Sequence, residues 1–293
     1  MNDLANPIFH DEAKARAWLE AECWPEGPVC PHCGVQEYRK LEGKAHRPGL
    51  YQCNACRQQF TVTVGTLFER SKIALTKRLM AMYLLSSSKK GISTNQLSRM
   101  PGLPYKTAWF MTHRIREAMR EGGDGPFGSL GGANKVVEAD ETFVGGKARN
   151  AKRAKPVPKK EAVVSLVERA GRVRSFHLPL VSRRTLRPIL TTQIDRKAYL
   201  MTDEAGHCVA IGREYAGHGT VNYSIEQYVR GRFWHTNTIE GYFSILKRGV
   251  TGNYQWVSQQ HLKRYLGEFD FRYNTRDLTA MERTFIAAKG IRG

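Results

Sequence analysis

Three acidic residues occupy positions from which carboxylates can bind metal ions. Asp140 and Asp203 each end a predicted apolar strand, and Glu240 lies in a predicted helix. An acid at the end of a buried strand is costly unless it binds something. Carboxylate oxygens are ligands that hard cations such as Mg²⁺ prefer. Three carboxylates around two such ions, about 3.5–4 Å apart, can activate a water or a 3′-hydroxyl and stabilise a leaving oxygen.

The spacing of Glu240 and Lys247 places both side chains on one face of the predicted helix. They are seven residues apart, which is two helical turns, so Phe243 and Leu246 are free to pack elsewhere. A single acid is by default a solvated surface residue, and only the set of three in this order of strands and helix indicates a site. We interpret four further acids as ordinary surface residues: Glu138, Glu141, Asp195 and Glu204.

Four of the six cysteines form two Cys-x-x-Cys pairs that predict a structural zinc site. Each pair fits a tight turn, and two such turns can close a tetrahedron of thiolates around Zn²⁺. His32, inside the first pair, would be a fifth ligand and is left out. Cys23 and Cys208 stand alone, and we interpret both as small core residues. The predicted zinc ligands are Cys30, Cys33, Cys53 and Cys56.

A helical module between the cysteines and the acids has the pattern of a helix-turn-helix. Ser93 is a predicted N-cap of a short second helix, and Pro104 suits the first turn of a third. A basic helix of this kind reads base edges in the major groove, while flanking cations fix it on phosphates. The alternative is a three-helix packing element with a solvated basic face. The candidate contacts on the third helix are Lys106, His113, Arg114 and Arg116.

The order of the predicted elements favours a multidomain protein with an α/β domain. Beyond a glycine-rich linker the pattern changes to three strands, a helix, a strand, a helix, a strand and a helix. We divide the chain into an N-terminal helix with a zinc ribbon, a helix-turn-helix-like module, a linker, an α/β domain and a C-terminal tail. Their residues are 1–66, 67–121, 122–134, 135–275 and 276–293.

The net charge of +19 is concentrated in two parts of the sequence. Residues 70–120 contain eleven Lys and Arg against one acid, and residues 145–160 contain seven and no acid. A basic excess can serve solubility alone, but two concentrated blocks fit a polyphosphate partner better, because phosphate contacts release counterions. Charge therefore favours a nucleic acid as the partner.

The sequence gives no sign of membrane insertion or export. No run of 18 apolar residues is present, which argues against a membrane span. The first 22 residues contain five acids and lack the basic start and apolar middle of a signal peptide. We expect a cytoplasmic protein, associated with the nucleoid when bound to DNA.

Four motifs resemble those of bacterial insertion-sequence transposases with an N-terminal zinc ribbon. The resemblance covers nearly the whole chain and implies a ribonuclease-H-like α/β domain of the DDE type. It also implies an enzyme that nicks the ends of a mobile element and joins the 3′-ends to target DNA. The motifs are 138–146 (EADETFVGG), 202–205 (TDEA), 235–249 (HTNTIEGYFSILKRG) and 265–274 (YLGEFDFRYN).

Carried over by position, the resemblance makes Asp140 and Asp203 the first two catalytic acids. The third position of this family is sometimes described as an asparagine, and Asn237 lies one turn before Glu240. Because a carboxylate binds Mg²⁺ better than an amide, we expect Glu240 to be the third ligand with Asn237 beside it. Lys247 then contacts phosphate. The cofactors implied are two Mg²⁺ or Mn²⁺ ions.

Two positions depart from the family pattern, since Tyr223 and Gln255 replace expected histidines. This weakens a role for histidine there, but not the three acids.

The expected partners are the terminal inverted repeats of an element, target DNA and at least one further copy of the chain. The alternative function is a domesticated, non-catalytic zinc-ribbon protein that only binds DNA, and the three intact acids argue against it. An RNA-binding zinc-ribbon protein would leave the acids unexplained.

The basic block at residues 145–160, which we call the basic loop, generates the first prediction. Neutralising Lys152, Arg153 and Lys155 together should lower the slope of log affinity for DNA against log salt by roughly one per lost phosphate contact. Binding measured over a salt series tests this. An unchanged slope would show that the loop faces away from DNA.

Overall fold

A computed structural model describes residues 3–66, 68–120, 128–145, 160–203, 211–221 and 235–290. The chain divides into two compact units. Unit 1 contains Met1–Arg120 with Asp277–Gly293, and unit 2 contains Glu121–Arg276. Among the described residues, no helix is long and apolar enough to cross a membrane.

Unit 1 begins with helix α1 (Glu12–Cys23) and a small antiparallel sheet. The side chain of Asp11 caps α1 by accepting hydrogen bonds from two amides of the first turn, at 2.8 and 3.1 Å. Trp24, Tyr51 and Phe60 form the small core behind the sheet, with ring centroids 5.6–5.8 Å apart. The strands are β1 (Tyr38–Leu41), β2 (Leu50–Cys53) and β3 (Gln59–Phe60), in the order β1-β2-β3.

The helical part of unit 1 contains a helix from the far end of the chain. Residues 276–293, which the sequence pattern describes only as a tail, include α8 (Ala280–Lys289), and this helix packs on α1, α2 and α4. Ala287 and Ala288 are fully buried there. The other helices are α2 (Leu75–Ser87), α3 (Thr94–Arg99) and α4 (Tyr105–Met119), and Ser93 caps α3 as predicted.

Burial corrects two of the expected contacts on α4. Arg116 is 0% exposed and His113 is 5% exposed, with its ring 4.3 Å from that of Trp109. The prediction that these two side chains contact DNA is therefore wrong. Lys106 and Arg114 are exposed, together with the aromatic side chains of Tyr105 and Phe110.

Unit 2 is built on a mixed five-stranded sheet within the described residues. Its strand order is β6-β5-β4-β7-β8. The pairs β4–β5 and β5–β6 are antiparallel, whereas β4–β7 and β7–β8 are parallel. The strands are β4 (Val136–Val144), β5 (Glu161–Glu168), β6 (Val173–Leu178), β7 (Tyr199–Asp203) and β8 (Gly217–Val221).

Helices cover the two faces of this sheet with separate apolar cores. On one face, α5 (Arg183–Gln193) packs its Leu186 and Leu190 over β4, β5 and β7. On the other face, α6 (Asn237–Gly249) and α7 (Gln259–Asn274) pack over β4, β5 and β6. Successive strand residues alternate between the faces, so β4 presents Val137 and Ala139 to α5 and its even-numbered residues to α6.

The second half of the predicted linker belongs to the core of unit 2. Leu130 is fully buried and forms a parallel bridge with Ile194. Gly131 has a φ of +84°, and a Cβ atom there would lie 2.6 Å from the side chain of Ala198, so this close approach requires glycine. Residues 122–127 of the proposed linker lie outside the described residues.

Candidate functional site

The four predicted zinc ligands converge in unit 1. Their sulfur atoms all lie within 4.8 Å of one another, with Cys30 and Cys56 3.7 Å apart and Cys33 and Cys53 3.6 Å apart. Four sulfurs at about 2.3 Å from a zinc ion form a tetrahedron with edges of about 3.8 Å. The cysteines are free thiols, and their spacing fits a shared Zn²⁺.

Two matching turns of the backbone bring the cysteines together. In each pair, the amide of the residue after the second cysteine donates to the carbonyl of the first cysteine: Gly34 to Cys30 at 2.9 Å, and Arg57 to Cys53 at 3.1 Å. Both residues adopt the left-handed region, with φ of +77° and +60°. The two turns therefore present two thiols each to one point, as the paired spacing predicts.

Hydrogen bonding favours the thiolate form of one ligand. The amide of Cys56 donates to the sulfur of Cys53 at 3.5 Å, and this bond, with further help from the neighbouring thiols, lowers the pKa of Cys53 to about 7. A thiol must lose its proton to bind zinc. Cys53 is also completely buried, which suits a closed structural site.

The register of the large sheet brings Asp140 and Asp203 to the same level. Strands β4 and β7 pair in parallel from Val136 with Tyr199 to Glu138 with Met201. Continuing that register by two residues places Asp140 opposite Asp203, on neighbouring strands about 4.8 Å apart. Asp140 shares the parity of Glu138 and belongs to the sheet face that α6 covers. The side chain of Asp203 lies outside the described residues.

The structure places the other candidate residues on the solvent side of α6. Asn237 and Glu240 lie in its first turn and Lys247 in its last, and all three are exposed. Phe243 and Leu246 are buried in the core below, as the helical spacing predicts. The Oγ1 atom of Thr236 donates to the Glu240 carboxylate at 3.5 Å.

Asp140 is half-buried in β4 and keeps access to solvent. Its carboxylate accepts a hydrogen bond from the amide of Glu141 at 2.7 Å. Across the antiparallel pair its neighbour is Ser165, whose hydroxyl lies 2.8 Å from that of Ser175. Ser165 is completely buried, whereas Asp140 is partly exposed. Asp140 therefore offers carboxylate oxygens at the edge of the α6 core rather than inside it.

One acid interpreted as a surface residue is instead completely buried. Glu138, two residues before Asp140, is 0% exposed and binds the N-terminus of α6. The surface interpretation of Glu138 is therefore wrong. The strand pattern contains a signal for this position, since residues 138 and 140 have the same parity and face the same helix. Glu141 and Asp195 are partly exposed, and Glu204 lies outside the described residues.

The structure describes some of the remaining predicted positions, and others lie outside the described residues. Cys23 is buried, in agreement with its interpretation as a core residue. Gln255 follows a π-helical turn, Val250–Tyr254, and has a φ of +59°. The residues that lie outside the described part of the chain are Cys208, Tyr223 and most of the basic loop, 146–159.

Comparisons with known proteins match both parts of this arrangement. Residues 10–59, which contain the four cysteines, match the model of the transposase zinc-ribbon domain. Residues 130–274, which contain Asp140, Asp203 and Glu240, match the model of the ISXO2-like transposase domain. A similar protein from Halobacterium salinarum is described as an uncharacterized protein in transposable element ISH50. It is 27% identical over 287 residues, which cover 90% of this chain and 91% of that protein.

The thiol geometry predicts one zinc ion per chain. Cys53→Ser should remove the metal and unfold the ribbon, because its buried sulfur is one of the four ligands. Metal analysis of the purified protein and its zinc-dependent thermal unfolding provide the measurements. Cys23→Ser is the matched control, since this cysteine is buried outside the cluster and its loss should leave the zinc content at one. Well under one zinc per wild-type chain would contradict the assignment.

Proposed function

We propose, from the premise that this chain belongs to the insertion-sequence transposases with a zinc ribbon and an ISXO2-like transposase domain, that it cuts and joins DNA at the acidic site of unit 2. The substrates are the ends of the element and a target duplex. In the joining step a 3′-hydroxyl attacks a phosphodiester, a new phosphorus–oxygen bond forms, and the displaced target strand leaves with its own 3′-hydroxyl.

The observation that carries the proposal is the convergence of three chain segments at one place on the sheet. The register of β4 and β7 pairs Glu138 with Met201, and its continuation by two residues would set Asp140 opposite Asp203. The first turn of α6, which carries Glu240, is bonded to β4 at Glu138, two residues from Asp140. These connections support a shared site for three acids that span 100 residues of the sequence.

The topology supports a ribonuclease-H-like assignment for unit 2. Three antiparallel strands are followed by two parallel strands on the other side of β4, with helices on both faces. In this order β4 is the central strand and β7 is its parallel neighbour. An acid in β4, such as Asp140, and an acid at the end of β7, such as Asp203, are then expected to be neighbours. That arrangement supports the DDE interpretation of Asp140 and Asp203.

The donor set fits hard divalent cations. Asp140, Asp203 and Glu240 would hold two Mg²⁺ or Mn²⁺ ions through oxygen atoms, with the amide oxygen of Asn237 beside them. When bound, such ions activate the attacking oxygen and stabilise the leaving one. The accessible positions of Asp140 and Glu240 suit this role, because a phosphodiester must reach the same oxygens.

Lys247 supplies the cation on the same exposed face of α6. It lies seven residues from Glu240, and Arg248 follows it. A cation two turns from the acids can bind a phosphate that flanks the scissile one without neutralising the carboxylates. This supports the role of Lys247 as a phosphate contact that positions the DNA strand.

The exposed side of α4 is the proposed DNA-binding surface of unit 1. It combines two cations, Lys106 and Arg114, with the exposed rings of Tyr105 and Phe110. Cations bind phosphates, and apolar side chains contact thymine methyl groups in the major groove. Synapsis of two element ends further requires at least two copies of the chain.

The alternative function is a protein that binds DNA without cutting it. The zinc ribbon and the exposed face of α4 would serve that function equally well, so the acids decide between the two. A metal-dependent nicking assay on DNA that carries the ends of the element distinguishes them.

The third metal ligand generates a direct prediction. Glu240→Gln should lower strand transfer by about 10²–10³-fold, because it removes a charge that holds the cations, while leaving DNA binding intact. Asn237→Ala should weaken activity only partly, since an amide contributes one neutral oxygen. Activity with Mn²⁺ should rescue Asn237→Ala more than Glu240→Gln.

Asp140→Asn and Asp203→Asn are the controls, and both should be inactive whichever residue is the third ligand. An active Glu240→Gln beside an inactive Asn237→Ala would reverse the two assignments. Full activity of all four variants would exclude these residues as the centre of strand transfer, whereas an inactive wild-type protein would favour the non-catalytic alternative.

The exposed and the buried cations of α4 generate another prediction. Lys106→Ala and Arg114→Ala should each lower the salt dependence of DNA binding by about one unit of log–log slope, because these exposed side chains meet phosphates. Arg116→Ala should lower the midpoint of thermal unfolding and leave the slope of the folded protein unchanged, because its guanidinium is buried. Wild-type slopes for both Lys106→Ala and Arg114→Ala would exclude this face from DNA binding.

A further inference from the structure

We propose that Glu138 is a positioning residue of the acidic site, which holds the first turn of α6 at the distance from Asp140 that divalent cations require. The inference rests on the proposed function, because it assumes that Glu240 or Asn237 shares cations with Asp140. It adds a fourth acid, one that does not touch metal or DNA.

The contacts of Glu138 connect β4 to the start of α6. Its carboxylate accepts hydrogen bonds from the amide of Ile239 at 2.9 Å, the hydroxyl of Thr238 at 3.0 Å and Nε of Arg169 at 2.6 Å. Nδ1 of His235 lies 3.5 Å from the same carboxylate. All of these groups belong to α6, to the residue before its cap, or to the turn after β5.

The helix needs this partner because its own cap residue does not bond the first-turn amides. Thr236 is the N-cap of α6, and its side chain makes no capping hydrogen bond. The first amides of a helix lack partners within the helix and carry a partial positive charge. Glu138 supplies both the acceptor and the negative charge from a strand about 100 residues away in sequence.

Arg169 completes the connection and compensates the buried charge. Its Nη2 donates to the carbonyl of His235 at 2.6 Å, and its amide donates to the carbonyl of Val136 at 3.0 Å. Arg169 thus bonds both β4 and the residue that leads into α6. A buried carboxylate without such a cation would be strongly destabilising.

The position of Glu138 allows it to set the distance between Asp140 on β4 and the proposed ligands on α6. On the strand, Glu138 lies two residues from Asp140, which corresponds to about 6.6 Å. On the helix, its partner Ile239 is adjacent to Glu240 and two residues from Asn237. The Glu138 carboxylate therefore connects the strand segment of Asp140 directly to the helical turn of Glu240. Displacements of about 1 Å at a reacting centre can lower rates by about 10²-fold.

The test measures metal binding and the first turn of α6 separately in the full-length protein. Glu138→Gln should raise the Kd for Mn²⁺ by about 10–100-fold, the range for residues that orient metal ligands. It should also accelerate hydrogen exchange at the amide of Ile239. Mn²⁺ binding is measured by calorimetry on zinc-loaded protein, with Asp140→Asn as the blank for binding elsewhere.

Glu168→Gln is the matched control for a purely structural effect. Glu168 is also a buried strand acid paired with a cation, Lys135, and it bonds the amide of Gly131 at 2.9 Å rather than α6. This variant should lose stability but keep wild-type Mn²⁺ affinity and Ile239 exchange. If Glu138→Gln does not fold, Thr238→Val removes a single bond to Glu138 and should weaken Mn²⁺ binding several-fold.

The outcomes separate this inference from the function on which it rests. Wild-type Mn²⁺ affinity in Glu138→Gln, with or without faster exchange at Ile239, would overturn the positioning role. Equal loss of affinity in Glu138→Gln and Glu168→Gln would also overturn it in favour of general destabilisation. A wild-type protein with no more Mn²⁺ binding than Asp140→Asn would refute the acidic site itself, and Ile239 exchange would then still decide whether Glu138 holds α6.

Discussion

A carboxylate that is fully removed from water, that of Glu138, imposes the main constraint on unit 2. Such a charge is tolerated only where hydrogen-bond donors and a cation surround it. Its donors come from α6 and its cation, Arg169, comes from the turn after β5. The requirement to satisfy this one group therefore determines where a helix from late in the chain begins on a strand from its middle.

Burial separates the carboxylates of unit 2 into two functional classes. Glu138, Glu168 and Glu268 are buried, and each pairs with a cation: Arg169, Lys135 and Arg272 respectively. Their charges are compensated within the protein and hold its parts together. Asp140 and Glu240 keep access to solvent, so a cation from solution can reach them. A sequence shows which residues are acidic, but only burial shows which of these classes each belongs to.

The predictions that succeeded depend on local periodicity, and those that failed depend on distant contacts. The cysteine spacing is sufficient for the zinc site, because each pair needs only its own turn. The helix around Glu240 follows from helical spacing. The apolar run before Asp140 predicts a strand, but the prediction that this strand ends at Asp140 is wrong, because β4 continues to Val144. Glu138 was misassigned because its partners, Ile239 and Arg169, lie 101 and 31 residues away.

The same reasoning explains the errors on α4. A basic helix in a short module is expected to expose its cations over a wide face. Here α4 packs against α2, α3 and also α8, which comes from the opposite end of the chain. Because three helices surround it, only a narrow strip, including Lys106 and Arg114, remains exposed. Local sequence around α4 contains nothing that indicates α8.

The two proposed metal sites differ in their ligand atoms and in their access to a substrate. The zinc site closes four soft sulfur ligands around one point, so no position remains for a substrate. The proposed acidic site would draw hard oxygen ligands from two strands and from α6, where Glu240 and Lys247 are both exposed. Carboxylates alone would repel a DNA phosphate. Divalent cations between them, with a lysine two turns away, would reverse that repulsion, and under the proposed function the cations and the acids of this protein would serve the same substrate.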